Sequence, residues 1–494
     1  MNFLVHLTYL APIVAAFAIL LGAPARRTAI AGAVVALASA LVLLVGYDHQ
    51  AGGYQFTSAI PLVSQWDLKF FFGIDGLNAV MLFLTTLVAV CAVFVAPKLE
   101  NGGGHLYTAS ILFIAAGAAG AFASLDLFFF YAFHELALIP TFLMIGIWGT
   151  GNRQGAAWKI TIYLSLGSIV LLVGLIGTYL LVPAQQRTFD IPKLQQLAAT
   201  TGIFNAPGAD TVFLFLLIGF GTLISLFPFH SWAPQAYSSA PVPVAMLHAG
   251  VIKKFGLYGL LRVGLPLFPS AVQHWSWLIL VLLSCNILFV GLATISQKQL
   301  DLTLGYSSVM HMGYIFLGLV SFNLIGVNGA ALLMLAHGLS ISALFAISGE
   351  LRKQTATLDY RDLGGLAQSM PRLSFLFGLA CYASIGLPGF ANFASELLVF
   401  FGAFKNGVSG SAFNGYQIAT VIALWGVVIS TVYMLRAYRA IFFGERPNRW
   451  QSVRDVSFGL AWPVAALIAA LLFFGFFPQT VYQAIEPSFR QFLK

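Results

Sequence analysis

The chain has 494 residues, of which 59% are hydrophobic and 8% charged, and its mean hydropathy is +0.89. A soluble domain carries about a quarter charged residues, so this composition excludes a soluble fold. The formal net charge of +8 does not point to a nucleic-acid partner, because the basic residues gather on no single helix face or loop.

Apolar runs of roughly 20 residues recur from end to end, each long enough to cross a hydrocarbon core of about 30 Å as a helix. A barrel would instead show alternating segments of about ten residues. The expected fold is an all-α polytopic membrane protein of about fourteen transmembrane helices, near 2–21, 28–47, 75–96, 107–123, 125–148, 158–182, 211–229, 241–263, 273–296, 303–323, 328–350, 371–404, 416–441 and 458–480. The first run lacks a basic leader and is followed by Pro24, Arg26 and Arg27, so it reads as a retained helix, not a cleaved signal. The more polar segments 48–74 and 183–210, with Gly52, Gly53, Pro183 and Pro207, read as extramembrane connections. Cys91, Cys285 and Cys381 lie inside apolar runs without metal-ligand spacing and are expected to be packing residues.

The 24 Lys and Arg residues separate odd from even loops. Arg26, Arg27, Lys98, Arg153, Lys159, Lys298, Arg352, Lys353, Arg361, Arg372, Arg436, Arg439, Arg446, Arg449 and Arg454 follow predicted helices 1, 3, 5, 9, 11 and 13. The opposite loops hold Lys69, Arg187, Lys193, Arg262 and Lys405, and Arg490 and Lys494 sit in the tail. By the positive-inside rule both termini of this multi-pass chain face away from the cytoplasm, as expected for a bacterial-type inner membrane protein with an even number of helices.

Two predicted helices are interrupted. Leu226-Phe-Pro-Phe-His230-Ser-Trp-Ala-Pro234 breaks helix 7, and Ile385-Gly-Leu-Pro-Gly389-Phe-Ala-Asn392 breaks helix 12. Proline removes a backbone donor and glycine eases a bend, and unwound backbone at membrane depth survives only where protein or a water-filled cavity covers it. Broken helices in matching positions point to inverted repeats with a transport site near the break. The expected organisation is an N-terminal unit at 1–106 (helices 1–3), a first five-helix repeat at 107–263 (helices 4–8), a second at 264–441 (helices 9–13), and a C-terminal loop and helix 14 at 442–494.

An ionisable side chain at the bilayer centre costs at least about 2.5–3.5 kcal/mol, so one retained there is a functional candidate. Glu135 stands inside helix 5, Lys253 and Lys254 near the middle of helix 8, and Glu396 just past the break in helix 12. His134, His230, His248, His311 and His337 lie within or at the ends of spans. Burial disfavours the charged form of such groups and pairing favours it, so with bridging water they can form a proton relay. The histidines show no HxxxH or HExxH spacing, and no phosphate loop, dinucleotide fingerprint or CxxC set is present, so neither metal nor cofactor is expected in this chain.

These residues also carry a family resemblance. Phe133-His-Glu-Leu-Ala-Leu-Ile-Pro140 followed by Ile145-Gly-Ile-Trp-Gly149 resembles the fifth-helix signature of the chain M (subunit 4) family of antiporter-like subunits in the proton-translocating NADH:quinone oxidoreductase, complex I. Phe227-Pro-Phe-His-Ser-Trp-Ala-Pro-Gln-Ala-Tyr-Ser-Ser-Ala-Pro241 and Ala249-Gly-Val-Ile-Lys-Lys-Phe-Gly-Leu-Tyr258 are similar to the family's seventh and eighth helices. Tyr306-Ser-Ser-Val-Met-His-Met-Gly313, Ala336-His-Gly-Leu-Ser340 and Gly386-Leu-Pro-Gly-Phe-Ala-Asn-Phe-Ala-Ser-Glu396 continue the series through the tenth, eleventh and broken twelfth helices.

The resemblance implies an antiporter-like subunit embedded among other membrane subunits and lipid, with NADH, flavin, iron-sulfur clusters and quinone held by partner subunits. It implies that Glu135 serves the first half-channel, that Lys254 connects the two halves, that His311 and His337 belong to the polar axis, and that Glu396 is on the exit side. The chain departs from the family at two places. Leu223 stands where a helix 7 lysine usually pairs with the helix 5 glutamate, and Asp301 where a second lysine is common. His134, His230 or Lys253 could substitute as the base near Glu135. Related cation/proton antiporters, membrane-bound hydrogenases and inorganic-carbon uptake complexes share the same logic, and a non-conducting structural subunit fits the two departures.

Overall fold

The structure, a computed structural model, describes residues 1–97, 99, 103–406, 413–490 and 492–493; Lys98 and Lys494 lie outside the described residues. The chain opens with an apolar helix pair, α1 (Asn2–Leu20) and α2 (Ala25–Gly46). An antiparallel hairpin follows, β1 (Gln55–Val63) and β2 (Leu68–Ile74), with Ala59 opposite Phe71 and Ile60 opposite Phe70. Next come α3 (Gly76–Val95), α4 (Gly104–Ala123), α5 (Leu127–Trp148) and α6 (Arg153–Leu181). The starts of α3, α5 and α6 are written in the sequence. The Asp75 side chain accepts from Asn78 N, that of Asp126 from Phe128 N and Phe129 N, and that of Asn152 from Gly155 N, so each satisfies amides that a helix N-terminus leaves open.

A short amphipathic helix, α7 (Ile191–Thr201), crosses the surface before α8 (Ala209–Ile224) and α9 (Trp232–Ser239), the two parts of predicted helix 7. Then follow α10 (Val242–Leu267), α11 (Ser276–Ile295), α12 (Leu300–Val320) and α13 (Leu324–Thr355). Predicted helix 12 is α14 (Pro371–Ile385) and α15 (Ala391–Lys405), and the chain closes with α16 (Gly415–Phe442), α17 (Phe458–Phe476) and α18 (Gln479–Ile485).

Among the described residues twelve helices are long and apolar enough to cross a membrane, and two shorter apolar ones, α8 and α14, belong to the broken pairs. The centre of the bundle is made by α10, α12 and α13, buried almost throughout, with α3 and α4 beside them. The outer helices α1, α2, α5, α6, α11, α16 and α17 bury a minority of their residues, which leaves Phe, Leu, Ile and Val side chains facing outward.

Several features depart from the expectation. The segments 48–74 and 183–210, expected as extramembrane connections without elements of their own being assigned, contain the hairpin and α7. Arg262, expected in a loop, is inside α10, where its guanidinium is buried and donates to Asp75 Oδ1. The long central helices also widen locally: π-helical turns occupy His248–Ile252, Leu260–Gly264 and Asn286–Val290. Such turns release a carbonyl from the regular ladder and often occur at functional sites.

The two ends of the bundle differ. One carries the 148–153, 296–301, 352–369 and 436–450 segments, joined by Arg352 to Thr150 and Asp301, Arg436 to Ile295 O and Gln297 O, and Arg449 to Asp362. The other carries the hairpin, α7 and the start of α3, joined by Lys69 to Asp190, Lys193 to Asp67 and Asp75 to Arg262.

Candidate functional site

Both breaks lie beside ionisable residues, and each is held by side chains from another helix. At the first, Ser225 occupies the left-handed region at φ 66° and α8 ends. Asn286 of α11 takes over the freed backbone, accepting from Phe227 N at 2.6 Å and donating to Ser225 O at 3.4 Å and Val309 O at 3.1 Å. The indole of Trp232 donates to Thr222 O at 3.0 Å. At the second, Gly386 and Gly389 have φ values of 82° and 100°, a region that favours glycine. A Cβ on Gly386 would also meet the Glu396 carboxylate at 2.5 Å.

The central polar residues converge on α10, α12 and α13. Lys254 Nζ lies 2.9 Å from His337 Nδ1 and donates to Ala249 O at 2.5 Å. As the ammonium can only donate, His337 Nδ1 is the acceptor and its Nε2 carries the hydrogen; that nitrogen is buried without a partner among the described residues. The ring of His311 lies 5.4 Å from that of His337. Its Nδ1 is 2.8 Å from Ser307 O and its Nε2 3.0 Å from Ser384 O, the carbonyl freed just before the helix 12 break. A neutral imidazole can donate to only one of these carbonyls, and the protonated ring to both.

Glu396 is 4% exposed, and its Oε1 is buried without a partner among the described residues. Tyr314 and Tyr433 lie within reach of its charge, and the Tyr433 hydroxyl is 2.9 Å from Ser307 Oγ. Lys253, also fully buried, turns the other way: it donates to Ser308 Oγ at 3.3 Å and lies 5.3 Å from the centre of the Tyr237 ring. The Tyr237 hydroxyl is 3.5 Å from His248 Nδ1.

Glu135 occupies a different setting. Its side chain is 37% exposed in a cleft of about 160 Å³ between α5 and α6, where it accepts from the Ser168 hydroxyl and lies 3.5 Å from His134 Nδ1. The His134 ring in turn stacks on Phe255 of α10 with centroids 4.1 Å apart. Of the three bases weighed for Glu135, His134 is the one beside it. Lys253 bonds to Ser308, and His230 stacks on Phe227 at the helix 7 break. Leu223 is buried, and the hydroxyls of Thr222 and Ser225 bond back to Ile218 O and Ile224 O. Asp301 is ion-paired with Arg352.

The polar partners Ser168, Ser308, Tyr237, Ser384 and Asn286 were not singled out by sequence. Serine and threonine are frequent in apolar helices because they bond to their own backbone, so a hydroxyl alone is a weak signal.

A family profile described as NADH:quinone oxidoreductase/Mrp antiporter, TM, matches residues 124–423. The NADH-quinone oxidoreductase subunit M of Rickettsia felis is 32% identical over 470 residues, covering 94% of this chain and 91% of that protein. An NAD(P)H-quinone oxidoreductase chain 4 of Thermosynechococcus vestitus is 33% identical over 452 residues, covering 91% and 83%. Among solved structures, a chain of respiratory complex I from Thermus thermophilus with bound NADH superposes with a TM-score of 0.88 at 28% identity, covering 99% of this chain and 100% of that one. The Mrp complex of Dietzia sp. shares the fold, with a TM-score of 0.85 at 20% identity over 100% and 98% of the two chains. With its profile match, its full-length relatives and its polar axis between two broken helices, the chain belongs to the NADH:quinone oxidoreductase/Mrp antiporter transmembrane family, on the subunit M (chain 4) branch.

Proposed function

We propose that this chain is a proton-translocating membrane subunit of an NADH:quinone oxidoreductase, passing protons while partner subunits reduce quinone. The observation that carries this reading is the cluster of buried titratable groups, Lys254, His337 and His311, ending at the broken-helix carbonyl of Ser384. In this reading Glu135 and His134 receive the driving change at the α5–α6 face, and Lys253 with His248 loads the centre. Lys254 and His337 exchange a proton, His311 passes it on, and Glu396 delivers it to the exit. His230 would serve as a water-holding group at the first break.

The redox cofactors, NADH, flavin, iron-sulfur clusters and quinone, belong to the partner subunits. A half-exposed carboxyl at membrane depth is costly against lipid, so the Glu135 face suits a neighbouring antiporter-like subunit, with lipid around the remaining apolar perimeter. Fourteen crossings, two inverted repeats at 107–263 and 264–441, and both termini outside the cytoplasm complete the arrangement, the last from the positive-inside bias.

A second reading, a structural subunit that conducts no protons, is favoured by buried Leu223 and by Asp301. The test is Glu135→Gln and Glu396→Gln in the assembled complex in proteoliposomes. The expected result is a fall of about a hundredfold in proton uptake for each, the lower end of what losing a proton-transfer group costs. Uptake and quinone reduction both near wild type would favour the structural reading.

A further inference from the structure

A polar cavity of about 790 Å³ opens at the basic end of the bundle, outside the central cluster. It is lined by Asn152, Gln235, Gln299 and Thr357, with Asp301 and Arg352 on its wall. The positive-inside bias assigns this end to the cytoplasm. Arg352, near the end of α13, ties three other segments together: its guanidinium donates to Thr150 Oγ1 at 2.5 Å, to Ser238 O at 3.1 Å and to the Asp301 carboxylate. Asp301 is 4% exposed, so its charge is compensated mainly by this one cation.

Seven residues beyond Asp301 on α12, ~10 Å along the axis, is Ser308, which binds buried Lys253. Tyr237, whose ring faces Lys253, is the neighbour of Ser238, whose carbonyl Arg352 holds. Between cavity and lysine lie the fully buried Leu304 and the close approach of Gly305 to Pro234. The cavity is thus separated from the buried Lys253 amine by a packed layer of Leu304, Gly305 and Pro234, and beside that layer Arg352 ties Asp301 of α12 to Ser238 of α9.

We infer that this cavity is the cytoplasmic proton inlet of the chain and that the Asp301–Arg352 pair is its gate. This rests on the proposed proton-translocating function. A hydronium ion in the cavity gives its proton to the Asp301 carboxylate and leaves as water. The neutral carboxylic acid holds the guanidinium less tightly, the Arg352 tie between α12 and Ser238 of α9 loosens, and water reaches Lys253. The proton then moves from Asp301 through that water to a Lys253 amine that has already passed its own proton inward, and the restored carboxylate recaptures Arg352.

The test uses the assembled complex in inverted vesicles, with the three native cysteines replaced and Leu304→Cys as a probe in the packed layer. A membrane-impermeant thiol reagent is added from the cytoplasmic face. Replacing Asp301 with Asn should speed labelling about tenfold, the scale of losing one charged hydrogen bond, and should slow proton uptake by a similar factor. Ser308→Cys, one turn deeper, gives the same readout if Leu304→Cys fails to assemble. Labelling that Asp301→Asn leaves unmoved overturns the gate. Unchanged uptake in Asp301→Asn while Glu396→Gln blocks it overturns the inlet alone, and unchanged uptake in both overturns the functional reading beneath it.

Discussion

Asn286 shows how a single side chain can hold a broken membrane helix together. The end of α8 leaves backbone groups that no regular ladder satisfies, and at membrane depth each unpaired group is expensive. One amide accepts from Phe227 N and donates to Ser225 O and Val309 O, so it links the break to both α11 and α12. Asn286→Leu keeps the branched shape and removes all three bonds. The expected loss is about 2 kcal/mol or more, because Phe227 N is left buried without its acceptor. Thermal unfolding of the detergent-solubilised complex checks this, and an unchanged midpoint would mean that solvent or a shifted helix replaces the amide.

At the scale of elements, the hairpin and α7 form a charged clasp. Burial works to raise the Asp67 carboxyl, but hydrogen bonds from Thr188, Lys69 and Lys193 outweigh it and hold the group below its ordinary value of 3.8. Burial likewise works to lower the Lys69 ammonium, while Asp67 and Asp190 hold it above its ordinary value of 10.5. The contribution of a depressed carboxyl is complete above its unfolded value and is lost as pH falls through the folded one; that of a raised ammonium is complete below its unfolded value and lost on the alkaline side. The clasp should therefore stay closed between about pH 4 and pH 10 and loosen outside that window. Protection of the amides across Gln55–Ile74, taken relative to the intrinsic exchange rate at each pH, should fall on acidification below the window, and Asp67→Asn should show the faster exchange already at neutral pH. Equal exchange in the two proteins at pH 7 would show that the apolar face of the hairpin alone holds it.

The same elements show what the sequence could and could not convey. The spans were legible because lipid demands about twenty apolar residues, and both breaks because Pro228, Gly386, Pro388 and Gly389 disrupt helices for local reasons. Lys254, His337, His311 and Glu396 stood out because charge and imidazole are rare at such depth. The hairpin was missed because its strands carry apolar residues on both faces, and the π-turns because they arise from packing, not from local preference. The setting of Glu135 was missed for a further reason: helix periodicity cannot tell a face that meets the bundle from one that meets a neighbour.

On the scale of the whole molecule, the decisive question is whether the outer Glu135 and the inner Glu396 act in one series. Glu135 touches His134, His134 stacks on a ring of α10, and α10 carries both buried lysines, so the elements between the two acids are continuous. Groups that act as one unit give non-additive effects, whereas groups that contribute independently give effects that add in free energy. We expect the double variant Glu135→Gln with Glu396→Gln to take up protons about as slowly as the slower single variant, not at the product of the two losses. The measurement is the initial rate of proton uptake by the assembled complex in proteoliposomes, with the four proteins compared at equal content. Losses that multiply would mean that the two acids act on the rate independently of each other, and the polar axis through Lys254 and His337 would then not couple them.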